Sequence, residues 1–271
     1  MKKKIDININ GTSISLFNTL YMKYIEAKKE NGVIIDNKLC QIVERLDYDF
    51  SKFSISKYNV LSISLRAKYF DSIVETFIRN NNKPVIVTLG CGLDTRKYRI
   101  HDNEYAIFYE IDLPNVIKLR QELIPALKND IYISKSIFDK SWMNMILNNH
   151  SNSNILFIME GILMYLDEND VCKLFQQIAQ RFNNSELHFD AASLWKAKHF
   201  YYDDIETNIR IKLKYGFDND LEPETWANNI KHSKTIFLLD IDKKKWGFIG
   251  IIFRKMPKFY YSYRILSYTI N

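Results

Sequence analysis

The chain has 271 residues, 46% of them hydrophobic and 26% charged, a balance that excludes a disordered, collagen-like or coiled-coil protein. Its 8 glycines and 5 prolines are too few for many short hairpins, which disfavours an all-β sandwich or barrel and favours an α/β chain. The 38 lysines and arginines exceed the 32 acids, yet the lysines are scattered and residues 243–245 follow Asp240 and Asp242 as a turn would, so neither a nucleic acid nor a membrane is the expected partner. Cys40, Cys91 and Cys172 are odd in number and far apart, which fits reduced thiols in a cytoplasm better than a disulfide framework or a metal knuckle. Asp6, Asn8 and Asn10 interrupt any signal-peptide pattern, and no stretch approaches the roughly 18 to 20 apolar residues of a membrane span.

In chain order, Leu16, Phe17, Leu20, Tyr21, Tyr24 and Ile25 fall at the three-to-four spacing of an amphipathic helix over 16–27. A second helix is predicted over 61–78, with Leu65, Tyr69, Ile73, Val74 and Phe77 along one stripe. Residues 1–82 therefore read as a helical cap, closed by Asn80-Asn81-Asn82-Lys83-Pro84. Beyond the break, short apolar runs at 85–89, 105–111, 131–133, 155–159 and 187–191 read as strands. Helices are predicted between them at 116–127 and at 171–182, the latter N-capped by Asp167. Strands separated by helical crossovers imply a mostly parallel sheet covered on both faces. Runs at 235–239 and 247–253 read as an antiparallel pair closing one edge, which brings the expected sheet to seven strands. The whole chain is taken as one domain, with a core over 83–255 and a C-terminal tail over 256–271.

Directly after the first strand stands Leu89-Gly90-Cys91-Gly92-Leu93-Asp94-Thr95-Arg96. A Gly-x-Gly there lets backbone pass close to a ligand, although a tight strand-to-helix turn without one has the same spelling. The dinucleotide fingerprint wants a third small residue where Thr95 stands, which disfavours a nicotinamide-dependent oxidoreductase. The next strand ends in Glu110-Ile111-Asp112, where a carboxylate is placed to accept ribose hydroxyls; an N-capping role is the competing reading. Adenosine without a diphosphate points to S-adenosylmethionine.

Three motifs in order, Leu89 to Arg96, Glu110-Ile111-Asp112-Leu113-Pro114, and Met159-Glu160-Gly161-Ile162-Leu163-Met164-Tyr165-Leu166, resemble successive signatures of the leucine carboxyl methyltransferase family, whose bacterial branch includes tetracenomycin-type polyketide O-methyltransferases. Arg66-Ala67-Lys68-Tyr69-Phe70-Asp71, the segment 42–50 and the ending 258–268 are similar as well, so the resemblance covers nearly the whole chain. It implies a class I methyltransferase, Rossmann-like α/β fold with an N-terminal helical cap, and S-adenosylmethionine as cofactor. By the same resemblance, Arg66 holds the methionine carboxylate, with Lys23 as a second candidate. Gly90, Cys91 and Gly92 line the methionine and ribose, Asp112 with Leu113 the ribose, Ser136 and Ile137 the adenine edge, and Glu160 with Gly161 the methionine ammonium. Against these readings, Arg66 and Lys68 beside Asp71 and Glu75 also suit ordinary surface pairs, and Asp94 and Arg96 also suit mere turn fixation.

Methyl transfer from a sulfonium needs alignment more than acid–base help, and a carboxylate acceptor is already ionised at neutral pH. No metal ligand and no general base is therefore assigned, which accords with His101, His150, His188, His199 and His232 all lying outside the motifs. The expected enzyme is an S-adenosylmethionine-dependent O-methyltransferase acting on a carboxylate or hydroxyl of a small, polyketide-like molecule. Tyr165, Tyr201 and Tyr202 are candidates for the acceptor wall, and Lys196 and Lys198 for attracting an anionic acceptor; hydrophobic packing or solvent exposure is the competing reading of each. A cofactor-binding scaffold without turnover and a methyltransferase for a protein C-terminal carboxylate are the alternatives.

Overall fold

The computed structural model describes residues 5–6, 14–204 and 209–271, excepting the side chains of residues 5, 6, 14, 201–204 and 209–211. Three helices open it: α1 (Ile14–Ala27), α2 (Asn37–Arg45) and α3 (Lys57–Asn80). Asp36 caps α2 by accepting the Leu39 N–H at 2.8 Å, and Ser56 caps α3 through the Asn59 N–H at 3.1 Å. The main sheet follows in β-α order: β1 (Val85–Leu89), β2 (Ile107–Asp112), α4 (Pro114–Leu123), β3 (Asp130–Ser134), α5 (Lys140–Asn149), β4 (Ile155–Met159), α6 (Glu168–Arg181) and β5 (Ser185–Ala192). After α7 (Leu194–His199) come β6 (Ile230–Phe237), α8 (Gly247–Lys255), α9 (Pro257–Tyr260) and β7 (Tyr263–Ile270).

The seven strands lie in the order β6-β7-β5-β4-β1-β2-β3. Strands β1 to β5 pair in parallel, and β7 runs antiparallel to both β5 and β6. Every residue of β1 and of β4 is buried, as central parallel strands require. Val85, Val87 and Leu89 alternate into one core with Trp142 of α5 and Phe175 of α6, while Ile86 turns to Phe70, Val74 and Phe77 of α3. From β1 the chain winds outward through β2 and β3, then returns to place β4 on the other side. The crevice where strand order reverses lies at the carboxyl ends of β1 and β4. Helices α1 and α2 pack on α4 through Phe17, Leu20, Leu39, Ile42, Leu119 and Leu123, which places α1 over that crevice.

Several features differ from the sequence expectations: the strand expected at 235–239 spans Ile230–Phe237, and α5 has no counterpart among them. Residues 247–253 lie in helix α8 rather than a strand, because Trp246, Gly250 and Arg254 recur at helical spacing against the body while Phe248, Ile251 and Ile252 face out. Residues 256–271, set apart as a tail, supply β7, which fills the place next to β5 and completes the seven strands. Helix α4 stops at Leu123 rather than 127, since Pro125 disfavours a helical residue before it. Asp167 sits at the N-cap of α6 but makes no capping bond, its carboxylate reaching Lys214 at 2.9 Å instead.

Candidate active site

The turn after β1 is drawn onto β2 by two bonds, the Gly90 and Cys91 N–H groups both donating to the Ile111 carbonyl at 2.8 and 3.1 Å. Gly90 has φ 73°, a left-handed backbone that L side chains rarely adopt, and a Cβ there would collide with Ile162. Asp112, at the carboxyl end of β2, accepts the Gly92 N–H at 2.8 Å through one oxygen and the Leu113 N–H at 2.7 Å through the other. Each carboxylate oxygen can accept about two hydrogen bonds, so acceptor capacity remains for hydroxyls in the crevice. Burial raises the Asp112 pKa, with those two backbone donors opposing the rise. From beneath, Arg120 of α4 donates to the Gly92 and Asp94 carbonyls at 3.0 and 2.8 Å.

Beside the turn is a dense set of buried ion pairs. The Arg66 Nε donates to Glu160 at 3.1 Å, and its Nη1 donates to Asp190 at 2.9 Å and to the Tyr263 hydroxyl at 2.8 Å. Tyr263 also donates to Asp190, whose second oxygen accepts the Gly161 N–H at 2.6 Å. Arg66 Nη2 carries none of these bonds and lies against Gly161, where a Cβ would stand 3.2 Å from it at φ 72°. Arg96 links Glu160 at 2.5 Å to Asp71 at 3.1 Å, and Arg99 joins Asp71, Asp94 and Asp36. Lys23 of α1 reaches Asp94 at 3.2 Å. Desolvation works against each charge, but pairing outweighs it: Tyr263, Asp190 and Glu160 hold the Arg66 pKa well above its ordinary value, while Lys23, Arg99 and Arg96 hold Asp94 well below.

One cavity of about 340 Å³ occupies the crevice, within the range of small-molecule sites. All eleven residues expected to hold the cofactor line it: Lys23, Arg66, Gly90, Cys91, Gly92, Asp112, Leu113, Ser136, Ile137, Glu160 and Gly161. Tyr165 lines it too. Lys196 and Lys198 do not. Lys198 is exposed on α7, and the half-buried Lys196 sets its Nζ 4.4 Å from the Tyr263 ring centroid, behind Arg66. Desolvation there, together with the neighbouring Arg66 charge, lowers the Lys196 pKa to about 8. The side chains of Tyr201 and Tyr202 lie outside the described residues.

Arg66, set beside the possibility of a surface pair, is 5% exposed, while Lys68 faces solvent. Asp94 and Arg96 are members of the ion-pair set as well as of the turn. Sequence reasoning missed Asp190, Tyr263, Asp36 and Arg99. Asp190 had a readable signal, a charge inside the apolar strand Leu187 to Ala191, where an unpaired carboxylate is costly. Thr95 donates its hydroxyl to Asp36 at 2.5 Å, so the residue that departs from the dinucleotide fingerprint is instead a tie between turn and cap. None of the five histidines lines the cavity; His150 meets Tyr109 and His188 meets Glu186 and Ser267.

Comparison with known proteins agrees with the fold. The chain is 23% identical over 270 residues to tetracenomycin polyketide synthesis O-methyltransferase TcmP of Streptomyces glaucescens, covering 97% of this chain and 98% of that one. It is 25% identical over 252 residues to the S-adenosyl-L-methionine-dependent methyltransferase dpfgK of Gibberella zeae, covering 86% and 84%. In fold, it matches the CcbJ methyltransferase of Streptomyces caelestis with a TM-score of 0.51 at 9% identity, over 76% of this chain and 94% of that chain. The family model described as leucine carboxyl methyltransferase matches residues 21–179, and the chain belongs to that family.

Proposed function

We propose that this chain transfers a methyl group from S-adenosylmethionine to an oxygen of a small organic acceptor, a carboxylate or a hydroxyl. Membership of the family makes it an S-adenosylmethionine-dependent methyltransferase. The observation that carries the site assignment is that the Gly90 turn, Asp112, Arg66 and Glu160 all face a single cavity. Their chemistry fits the donor: Asp112 keeps lone pairs for two ribose hydroxyls, Arg66 keeps Nη2 for a carboxylate, and Glu160 offers an anion to an ammonium. Ser136 and Ile137 line the same cavity, and we assign them to the adenine edge. We take residues 1–82 as cap, 83–255 as core and 256–271 as an integral part of one domain.

When bound, S-adenosylmethionine supplies a sulfonium methyl whose carbon–sulfur bond breaks, the electron pair leaving with sulfur, as the acceptor oxygen bonds to carbon. The protein's part is alignment and exclusion of water. Leu16, Thr19 and Leu20 of α1 roof the cavity, and Met164 and Tyr165 wall it. In such an enclosure an anionic oxygen and a cationic donor lose opposite charges together, which low dielectric favours. A carboxylate acceptor is already ionised at neutral pH and needs no base. The name of the Streptomyces glaucescens relative, an O-methyltransferase of polyketide synthesis, supports a polyketide-like acceptor.

Calorimetric titration with S-adenosylhomocysteine tests the assignment. Asp112→Ala should weaken binding by about 1 to 3 kcal/mol, the cost of losing a hydrogen bond to a charged group. Unchanged affinity would remove Asp112 from the site. A nicotinamide reading, against which Thr95 is already spent on Asp36, predicts thermal stabilisation by NAD instead of by S-adenosylhomocysteine.

A further inference from the structure

Between residues 243 and 262 the chain has six basic side chains, Lys243, Lys244, Lys245, Arg254, Lys255 and Lys258, and no aspartate or glutamate. Removing those six from the 38 lysines and arginines leaves as many bases as the 32 acids, so this one stretch holds the entire formal excess of +6. It forms the connection from β6 to β7, where a simple antiparallel hairpin would need only a few residues. In place of a tight turn stand α8 and α9.

The inner face of this hairpin is fastened to the body. The Trp246 Nε1 donates to the Ile241 carbonyl at 3.1 Å, and Arg254 donates to the Leu239 carbonyl at 3.0 Å. Phe253 stacks on Phe259 at 4.9 Å, and Phe259 meets Trp195 at 5.6 Å. The outer face has no such cover. Phe248, Ile251 and Ile252, spaced as neighbours on one side of α8, are 77%, 48% and 37% exposed, and Met256 and Tyr261 continue the apolar surface at 42% and 53%. Exposed Lys244, Lys255 and Lys258 flank it, with no ion pair among the described residues.

We propose that this hairpin docks the protein onto an anionic membrane surface. Apolar side chains would enter the boundary between headgroups and acyl chains while the lysines remain among the headgroups, the arrangement of an interfacial amphipathic helix. Two other occupants fit less well. A second copy joined by a two-fold axis would set the exposed charges of Lys244, Lys255 and Lys258 against their own images. A nucleic acid would meet the charge but leave Phe248 and Ile251 in water. No helix among the described residues is long and apolar enough to cross a membrane, so the attachment is peripheral. It is a partner that the spread of lysines along the sequence does not signal.

Flotation with vesicles tests the proposal, using phosphatidylcholine alone and a mixture of phosphatidylcholine with phosphatidylserine. The protein should float with the mixture and not with phosphatidylcholine alone, and should be released by high salt. Phe248→Asp should abolish flotation, and Lys255→Glu with Lys258→Glu should reduce it at least about tenfold, each basic residue being worth roughly fivefold. Circular dichroism melts of both variants should match the parent, because these side chains face solvent. Absence from both vesicle types, or flotation undiminished in both variants, overturns the proposal. So does light scattering that shows a dimer which Phe248→Asp converts to a monomer, since a second copy would then cover the face.

Discussion

At the carboxyl ends of β1 and β4, Lys23, Arg66, Arg96 and Arg99 lie buried among Asp36, Asp71, Asp94, Glu160 and Asp190, whereas the hairpin of α8 and α9 presents Lys244, Lys255 and Lys258 at the surface with no acid paired to them among the described residues. Both regions combine charge with apolar surroundings. In the first, each charge has its counterion within the fold, so desolvation is offset and side-chain positions are fixed. In the second, the lysines keep their water and the counterion must come from outside. Preorganisation of a ligand site and recruitment of a surface are thus the two outcomes of the same residue types, separated by whether acids accompany the bases.

The contrast is broken most severely by Asp190→Asn. Asp190 is 0% exposed and holds Arg66, Tyr263 and the Gly161 N–H together, so its loss should cost about 3 to 5 kcal/mol in denaturant unfolding and impair S-adenosylhomocysteine binding as well. A variant as stable as the parent would show that the ion pairs are not mutually dependent.

Glu110 sharpens the comparison through pH. Burial pushes its pKa up to about 7, against the pull of Arg120 and Arg96, from an ordinary 4.5. Because the folded value is raised, the native state holds a proton that the unfolded chain releases. Stability from this group is complete below the ordinary value and is lost as pH rises through about 7, by roughly 3 kcal/mol. Glu110→Gln should remove that decline between pH 5 and pH 8, read as the difference between variant and parent unfolding curves. Parallel curves would place the proton elsewhere.

At the small end stands Phe248→Asp, which touches only the exposed face. Its unfolding free energy should stay within about 0.5 kcal/mol of the parent, as for surface changes generally. A larger loss would mean that Phe248 packs against the body.

Legibility in the sequence followed the same divide. The turn at Gly90, the carboxylate at Asp112 and the Glu160 segment are local, each a short motif at the end of a strong apolar strand, and all proved to line one cavity. Asp190 and Tyr263 act on Arg66 from 124 and 197 residues away, and no spacing rule reports such a meeting. The error at 247–253 has a different origin. A short apolar run has no diagnostic period, and burial normally decides between strand and helix. Here the apolar side chains Phe248, Ile251 and Ile252 are exposed, so the usual inference from hydrophobicity to burial failed where the surface is unusual. Helix α5 went unread because Asn144 interrupts its buried Trp142, Met143 and Ile146 and two further asparagines end it.

The place of β7 between β5 and β6 bears on how the molecule comes to life on the ribosome. A nascent chain that has reached residue 262 possesses β6 with no lateral neighbour and β5 with a bare border, and the hydroxyl that steadies Arg66 has not yet been made. The unpaired N–H and C=O groups of that border then stand open to chaperones or to other unfinished chains. Arrival of eight more residues seals the sheet and supplies Tyr263 in the same stroke, so competence for ligand and completion of the core are one event.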